Sequence, residues 1–138
     1  MYLKELTYVN SDLPSGWQPY YIYIIFIDNV EIGKIVLREG NNQQRYFDGH
    51  IGYTIEKPYQ GHGYAYQASL LIKDIAIKKG FKELIFTCSP DNIASKKTIQ
   101  KLQCQYLETK EIPKKLRKDF TDKETIKEIY IMKLSEVI

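Results

Sequence analysis

Tyr53-Thr54-Ile55-Glu56-Lys57-Pro58-Tyr59-Gln60-Gly61-His62-Gly63-Tyr64-Ala65 is the stretch that decides the fold. Aromatic and β-branched residues come first, and Lys57-Pro58 ends their run. Two glycines follow, and from Tyr64 onward apolar residues recur at three- and four-residue spacing: Ala65, Ala68, Ile72, Ile75 and Ala76. The segment therefore reads as a strand, a glycine-rich turn and a helix running to about Lys79, stopped by Gly80. A helix N-terminus leaves backbone N–H groups unpaired and carries a partial positive charge. Glycines reach positive φ and let the backbone come close to a ligand. The combination is a place for a phosphate or diphosphate. It is not a Walker loop, because no Lys-Ser or Lys-Thr follows the glycines. It is not a dinucleotide fingerprint either: a small residue is needed five positions after the first glycine, and Tyr66 stands there.

Upstream, Tyr2–Val9 alternates weakly and is read as a first strand, followed by the turn cluster Asn10–Gly16. Tyr20–Ile27 and Val30–Leu37 flank Asp28-Asn29 and predict a β-hairpin. Glu39–Arg45 is a polar loop, and Phe47–Glu56 is expected to form one continuous strand. Downstream, Glu83–Thr87 is a short apolar strand. Ser89-Pro90-Asp91-Asn92 opens a second helix over Ile93–Leu102, with Asp91 or Asn92 as its cap. Cys104–Glu111 and Thr125–Leu134 are final strands on either side of the charged loop Pro113–Asp119. Strand–helix–strand in the middle predicts a parallel pair with a right-handed crossover, and hairpins at both ends predict antiparallel flanks. The class is α+β (mixed α/β).

The 138 residues fit one domain, 1–138, with no repeat or linker. With 43% hydrophobic and 27% charged residues, the chain has enough apolar content to build a core, which excludes a disordered tail protein. The net charge of +3 permits an anionic ligand but lacks the concentrated basic face of a nucleic-acid binder. Most of the twelve tyrosines are expected as half-buried strand residues. Cys88 and Cys104 show neither CxxC spacing nor the density of a disulfide scaffold, so two buried free thiols and a reducing cytoplasm are expected. Met1–Leu6 carries charges where a signal peptide needs an apolar stretch, and Tyr20–Ile27 is too short to span a bilayer. No metal is expected.

Gln60, Gly63 and Ala65 spell Gln-x-x-Gly-x-Ala, which resembles the coenzyme A loop of the GNAT acetyltransferases, Gln/Arg-x-x-Gly-x-Gly/Ala. His50-Ile51-Gly52-Tyr53 before the loop and Ser89–Lys97 after it resemble the neighbouring segments of that family, and the Asn92-x-x-Ser95 spacing is similar to its second coenzyme-contacting helix. The resemblance covers roughly residues 20–134 and comes nearest to the ribosomal-protein N-acetyltransferase-like branch. It implies one central mixed sheet of about six to seven strands with helices on both faces. It also implies acetyl-CoA as co-substrate and an amine as acceptor. Backbone groups of Tyr53, Thr54 and Ile55 would pair with the pantetheine arm. Gln60 opens the motif, and the amides of Gly61, His62, Gly63, Tyr64 and Ala65 would hold the pyrophosphate. Asn92 would contact the pantetheine, Ser95 would lie near the thiol, and Lys96 or Lys97 would meet the nucleotide phosphates. Asn92 and Ser95 also read as plain helix capping, and the lysines as a solvated face.

Three departures stand out. The second helix ends Leu102-Gln103-Cys104 where the family often has Leu-Gly-Phe. Ile99 occupies the place of the tyrosine that commonly protonates the departing thiolate, which leaves Ser95 or a water for that step. Only Asn10–Pro19 stands where two helices often wall the acceptor site, so that wall is small or comes from another subunit. For the general base the resemblance points to the start of the strand, at His50 or Asp48. Ile55 is the candidate N–H for the developing oxyanion. Because the loop between the last strands borders the acceptor cleft in this family, Lys114–Lys118 reads either as a bias toward an anionic acceptor or as an ordinary solvated loop. The exposed hairpin edge near the C-terminus leaves a homodimer open. Two other functions remain beside acetyl transfer: a non-catalytic acyl-CoA-binding module of the same fold, and a nucleotide- or RNA-binding domain that uses the glycine turn.

Overall fold

The computed structural model describes residues 1–134. The chain begins with a meander: β1 (Tyr2–Val9), β2 (Tyr20–Ile27), β3 (Val30–Arg38) and β4 (Ile51–Ile55). All four are antiparallel, in the order β1-β2-β3-β4. Asp28 and Asn29 take left-handed φ values of 48° and 64° in the β2–β3 turn, the geometry that matches strand twist in a two-residue hairpin. A 3₁₀ turn at Lys57–Tyr59 leads to the glycine turn and to α1 (Tyr64–Lys78). Then come β5 (Glu83–Cys88), α2 (Ile93–Lys101), β6 (Gln105–Glu111), a 3₁₀ segment at Lys114–Asp119, and β7 (Ile126–Lys133).

The core lies where α1 and α2 meet the strands. Ala68, Ile72 and Ala76 of α1 and Ile99 of α2 are buried with Ile25, Ile32, Ile35 and Leu37 of the first sheet and Leu84 and Phe86 of β5. These α1 positions are the ones its apolar spacing singles out. Gly33 brings β3 close to β4, since a Cβ there would sit 2.2 Å from the Thr54 carbonyl oxygen.

All seven strands expected from the sequence are present, and the fold is α+β. Their arrangement differs from one mixed sheet. The second sheet, β5-β7-β6, is also antiparallel throughout, and β4 and β5 form no parallel ladder among the described residues. They touch at one place, where His50 N–H donates to the Ile85 carbonyl over 2.8 Å, and then diverge. Phe47–His50 does not extend β4 as the apolar run predicts. Residues 42–48 are turns instead. Gly49, at φ 77°, ends them with its N–H bonded to the Arg45 carbonyl at 2.8 Å.

Both helices end in a Schellman arrangement. At α1, Phe81 N–H reaches the Ala76 carbonyl over 3.0 Å, with Gly80 at φ 92°. At α2, Cys104 N–H reaches the Ile99 carbonyl over 3.4 Å, and the left-handed position is held by Gln103 at φ 62°. The missing glycine therefore changes the strain and leaves the geometry intact. A left-handed non-glycine residue costs about 1–2 kcal/mol. Glycine gives back about 0.4–1 kcal/mol through the entropy of the unfolded chain. Gln103→Gly is expected to raise unfolding stability by about 0.5–1 kcal/mol, read from the midpoint of urea denaturation.

Candidate functional site

Among the described residues, β4 has a partner strand on one side only. Arg38 N–H donates to the His50 carbonyl and Glu56 N–H to the Ile32 carbonyl, at 2.7 and 2.8 Å. With the register Val36↔Gly52 and Lys34↔Thr54, the groups of Gly52, Thr54 and Glu56 point toward β3. The amides of Ile51, Tyr53 and Ile55 therefore point the other way, into the gap opposite β5. On β5, Ile85 bonds toward His50 while Leu84 and Phe86 lie in the ladder with β7, so Thr87 also faces the gap. The result is a wedge between two strand edges.

The wedge runs down to the glycine turn. Gly61 and Gly63 have φ values of 81° and 77°, and Gly63 is the N-cap of α1 with no side-chain cap bond. The first helical bond is Gln67 N–H to the Gly63 carbonyl, at 3.1 Å. Among the described residues, the amides of Gly61, His62, Gly63, Tyr64, Ala65 and Tyr66 donate to no protein acceptor. A Cβ at Gly61 or Gly63 would meet nothing of the protein within 4 Å, and no acidic residue stands in the first turn. Here is an open cradle of N–H groups at a helix N-terminus, fit for a diphosphate. Gln60 turns its side chain back, donating to the Ile55 carbonyl at 2.9 Å, so it locks the turn to the end of β4. The His62 ring packs on Tyr64 at 5.5 Å between centroids, outside the cradle.

At the N-terminus of α2, Asn92 Oδ1 accepts Ser95 N–H at 3.1 Å, so Asn92 caps the helix. Ser95 Oγ accepts from the Tyr53 hydroxyl at 3.4 Å and bridges the wedge. Lys96 is paired with Glu128 at 3.2 Å, and Lys97 is exposed. Ile99 is buried behind Ser95. Tyr53, Thr54, Ser95, Ile99, Asp48 and Ile51 all line one cleft of about 850 Å³.

His50 sits at the head of the wedge with 1% of its surface exposed. Nδ1 accepts the Ile85 N–H and Nε2 donates to the Gly40 carbonyl, each at 2.8 Å. Burial holds its pKa below the ordinary value; the Gly40 carbonyl opposes this, and Arg45 and Arg38 add to it. Both ring nitrogens are spent, so the ring has no lone pair to offer an amine. The expectation of His50 as general base is corrected on that ground: it is the joint between the two sheets. Asp48 differs. Its Oδ2 is bridged to Arg45 Nη1 at 3.1 Å, while Oδ1 is buried and unpartnered. Burial pushes its pKa above the usual carboxylate range, against the pull of Arg45 and Arg38.

The second wall of the cleft comes from within the chain. Trp17 Nε1 donates to Asp119 Oδ1 at 3.4 Å, joining the β1–β2 loop to the 3₁₀ segment Lys114–Asp119. Arg38, Arg45, Trp17 and Lys127 also line the cleft and were not singled out in the sequence. Their signal lies in the fold, since each comes from a different element. Cys88 and Cys104 are free, and burial pushes their thiols up to about 11 and about 12. No helix among the described residues is long and apolar enough to cross a membrane. The described residues contain no cluster that could hold a metal ion.

Residues 5–105 match the family "Acetyltransferase (GNAT) domain". The chain belongs to the GNAT acetyltransferases. Solved structures agree on the fold. The apo form of RimL, the ribosomal L7/L12 α-N-protein acetyltransferase, superposes with a TM-score of 0.68 at 16% identity, covering 86% of this chain and 72% of that one. The Microcin C7 self-immunity acetyltransferase MccE, in complex with acetyl-CoA and AMP, gives 0.63 at 18% identity, covering 83% and 61%. A GNAT acetyltransferase from Elizabethkingia anophelis with acetyl-CoA bound gives 0.64 at 16% identity, covering 83% and 76%. Against RimL in complex with coenzyme A, this chain spans 63% of the other's length. No curated protein matches the chain by sequence.

Because the folded pKa of His50 lies below its unfolded value, the unfolded chain binds the extra proton first. Stability is full above about pH 6.5 and falls as pH drops from there toward the folded pKa, by at most about 1.4 kcal/mol per pH unit. Urea denaturation between pH 7.5 and 5.5 is expected to show this loss. His50→Gln is expected to lack the pH dependence and to lose about 2–4 kcal/mol at pH 7.5, since Ile85 N–H and the Gly40 carbonyl lose well-placed partners.

Proposed function

We propose that this chain transfers an acetyl group from acetyl-CoA to a primary amine, by direct attack of the amine in a ternary complex. The observation that carries the reading is two sets of unpaired amides, those of Ile51, Tyr53 and Ile55 on the free edge of β4 and those of the Gly61–Tyr66 cradle just beyond its end. One long ligand with a diphosphate at one end and an amide-bearing arm at the other satisfies both. The diphosphate lies on the amides of Gly61, His62, Gly63, Tyr64 and Ala65. The arm lies along β4 in the manner of an added strand, pairing with Tyr53 and Ile55, while the backbone groups of Thr54, also expected to pair with it, are turned to Lys34 of β3; Asn92 lies beside the arm. Lys97, exposed on α2, meets the nucleotide phosphates. The thioester then falls between Tyr53 and Ser95.

The amine lone pair attacks the thioester carbonyl. Tyr53 N–H, turned into the wedge and lining the same cleft as Asp48, steadies the oxygen as it gains charge, in place of Ile55, which stands at the diphosphate end of β4. Asp48 takes the proton from the attacking nitrogen; its raised pKa makes it a better acceptor than an exposed carboxylate. The carbon–sulfur bond breaks, and the thiolate takes its proton from Ser95 Oγ, which the Tyr53 hydroxyl resupplies. This pair serves where Ile99 replaces the more usual tyrosine. Both cysteine thiols remain protonated at neutral pH, so the acetyl group passes to the acceptor without a cysteine intermediate. The setting is cytoplasmic, consistent with free thiols.

Coenzyme release with a panel of amines, run beside calorimetric titration with coenzyme A, tests the reading. Tight binding with no release on any amine would leave the non-catalytic acyl-CoA module standing in its place. Gly63→Val adds a Cβ to the cradle and strains a left-handed residue. It is expected to weaken coenzyme A binding at least tenfold by calorimetry, while circular dichroism shows the fold kept. Asp48→Asn is expected to lower kcat by about 10²–10⁴-fold and to leave the KM for acetyl-CoA within about twofold.

A further inference from the structure

The acceptor side of the cleft is strongly biased in charge. Its acidic side chains are all engaged: Asp48 with Arg45, Glu124 with Lys127 at 2.8 Å, and Asp119 with the Trp17 indole. Three cations that line the same cleft have no carboxylate partner among the described residues: Arg38, Lys115 and Lys118. Arg38 is the most specific of them. Its Nη1 donates to the carbonyls of Asp48 and Gly49, each at 3.1 Å, which fixes the guanidinium plane. Its Nη2 and Nε are left without a partner among the described residues. A Cβ at Gly52 would lie 2.7 Å from Nη2. Glycine at 52 is therefore the residue that lets the guanidinium lie flat on β4, beside Tyr53. A guanidinium with its plane fixed and two donor positions open is shaped for a carboxylate or phosphate. Lys115 and Lys118, on the 3₁₀ segment, line the same cleft.

The walls also limit size. Trp17 and Asp119 come from segments far apart in the sequence and meet over 3.4 Å, so they tie the β1–β2 loop to the 3₁₀ segment that carries both lysines. This tie joins two walls of the cleft, which favours a small acceptor over the end of a folded partner.

We propose that the acceptor is a small amine bearing a carboxylate or phosphate, whose anionic group is held by Arg38, Lys115 and Lys118 while its amine meets Asp48. The proposal rests on the acetyl-transfer reading and specifies its acceptor. The anion is anchored by fixed charge and the amine is left as the reacting end, which orients the nucleophile toward the thioester.

The test uses matched acceptors: ethanolamine phosphate against ethanolamine, β-alanine against β-alaninamide, and an acidic peptide with a free N-terminus. For the preferred anionic acceptor, kcat/KM is expected to exceed that of its neutral partner at least tenfold, and the ratio is expected to shrink as salt rises from 50 to 300 mM. In the double variant Lys115→Gln/Lys118→Gln, both exposed positions, that ratio is expected to fall at least fivefold, with coenzyme A affinity within twofold of wild type. Calorimetry of the anionic amines into protein loaded with coenzyme A reads the pocket independently of turnover. Binding of an anionic amine that weakens in the double variant, without transfer, supports the pocket and overturns the catalytic reading. Transfer to neutral and anionic amines alike overturns the pocket and leaves catalysis standing. A peptide that outcompetes every small amine overturns the size argument, and failure of every anionic amine to bind overturns the proposal outright.

Discussion

Everything in this molecule turns on the bond from Ile85 N–H to His50 Nδ1. A strand beside β5 would ordinarily offer that amide a carbonyl. Here the preceding bond, His50 N–H to the Ile85 carbonyl, is the last backbone hydrogen bond between the two sheets among the described residues. The imidazole completes the pair, and the chain of β4 is free to swing away. A buried amide without an acceptor would cost about 1–3 kcal/mol, so the sheets could not part at this place without such a substitute. The second nitrogen is committed to Gly40, which fixes the tautomer and the ring plane. Phe81 packs edge-on against the ring at 5.9 Å. The opening between β4 and β5 thus begins at a defined residue, and its two edges keep their amides for a ligand.

The walls of the opening are tied to the two sheets by long-range contacts. Thr87 Oγ1 donates to the Phe47 carbonyl at 3.2 Å, and the Tyr46 hydroxyl donates to Glu108 on β6. Asn42 donates to Glu83 at 2.8 Å. The turn region 42–49, which carries Arg45 and Asp48, is therefore held to the second sheet, and Arg38 of β3 ties the carbonyls of Asp48 and Gly49 to the first. Asp48 owes its shifted pKa to this placement: it is buried enough to lose water, yet has one arginine fixed against it.

Much of this was legible in the sequence, where local signals suffice. Asp28-Asn29, Gly80 and the Ala68–Ile72–Ala76 spacing mark their turns and faces through neighbouring residues alone, and β1 and β2 fall on the residues their patterns indicate. The glycine cradle was legible for the same reason, as its conformational demands lie within six residues. What escaped depends on partners far along the chain. Phe47–His50 looks like strand because it is apolar and precedes one. It turns because Gly49 must pass close to β5, where a Cβ would sit 3.0 Å from the Ile85 carbonyl oxygen. His50 looks like a base because nothing in its own segment tells that Ile85 and Gly40 take both nitrogens. Arg38 reads as one more polar strand end until the fold lays it over Gly52. Gln103 shows that an absent glycine need not mean an absent geometry, only a strained one.

The bond from the Gln60 side chain to the Ile55 carbonyl has a consequence for length. It fuses the end of β4 to the glycine turn, while His50 fuses the start of β4 to β5. The five residues between become a measuring rod with both ends clamped. A strand advances about 3.3 Å per residue, so two residues added within Ile51–Ile55 would carry the diphosphate seat about 6–7 Å away from the head of the wedge. A cargo of set length would then stop short of Asp48. In the proposed reaction, the reach of the donor is gauged by the protein's own backbone.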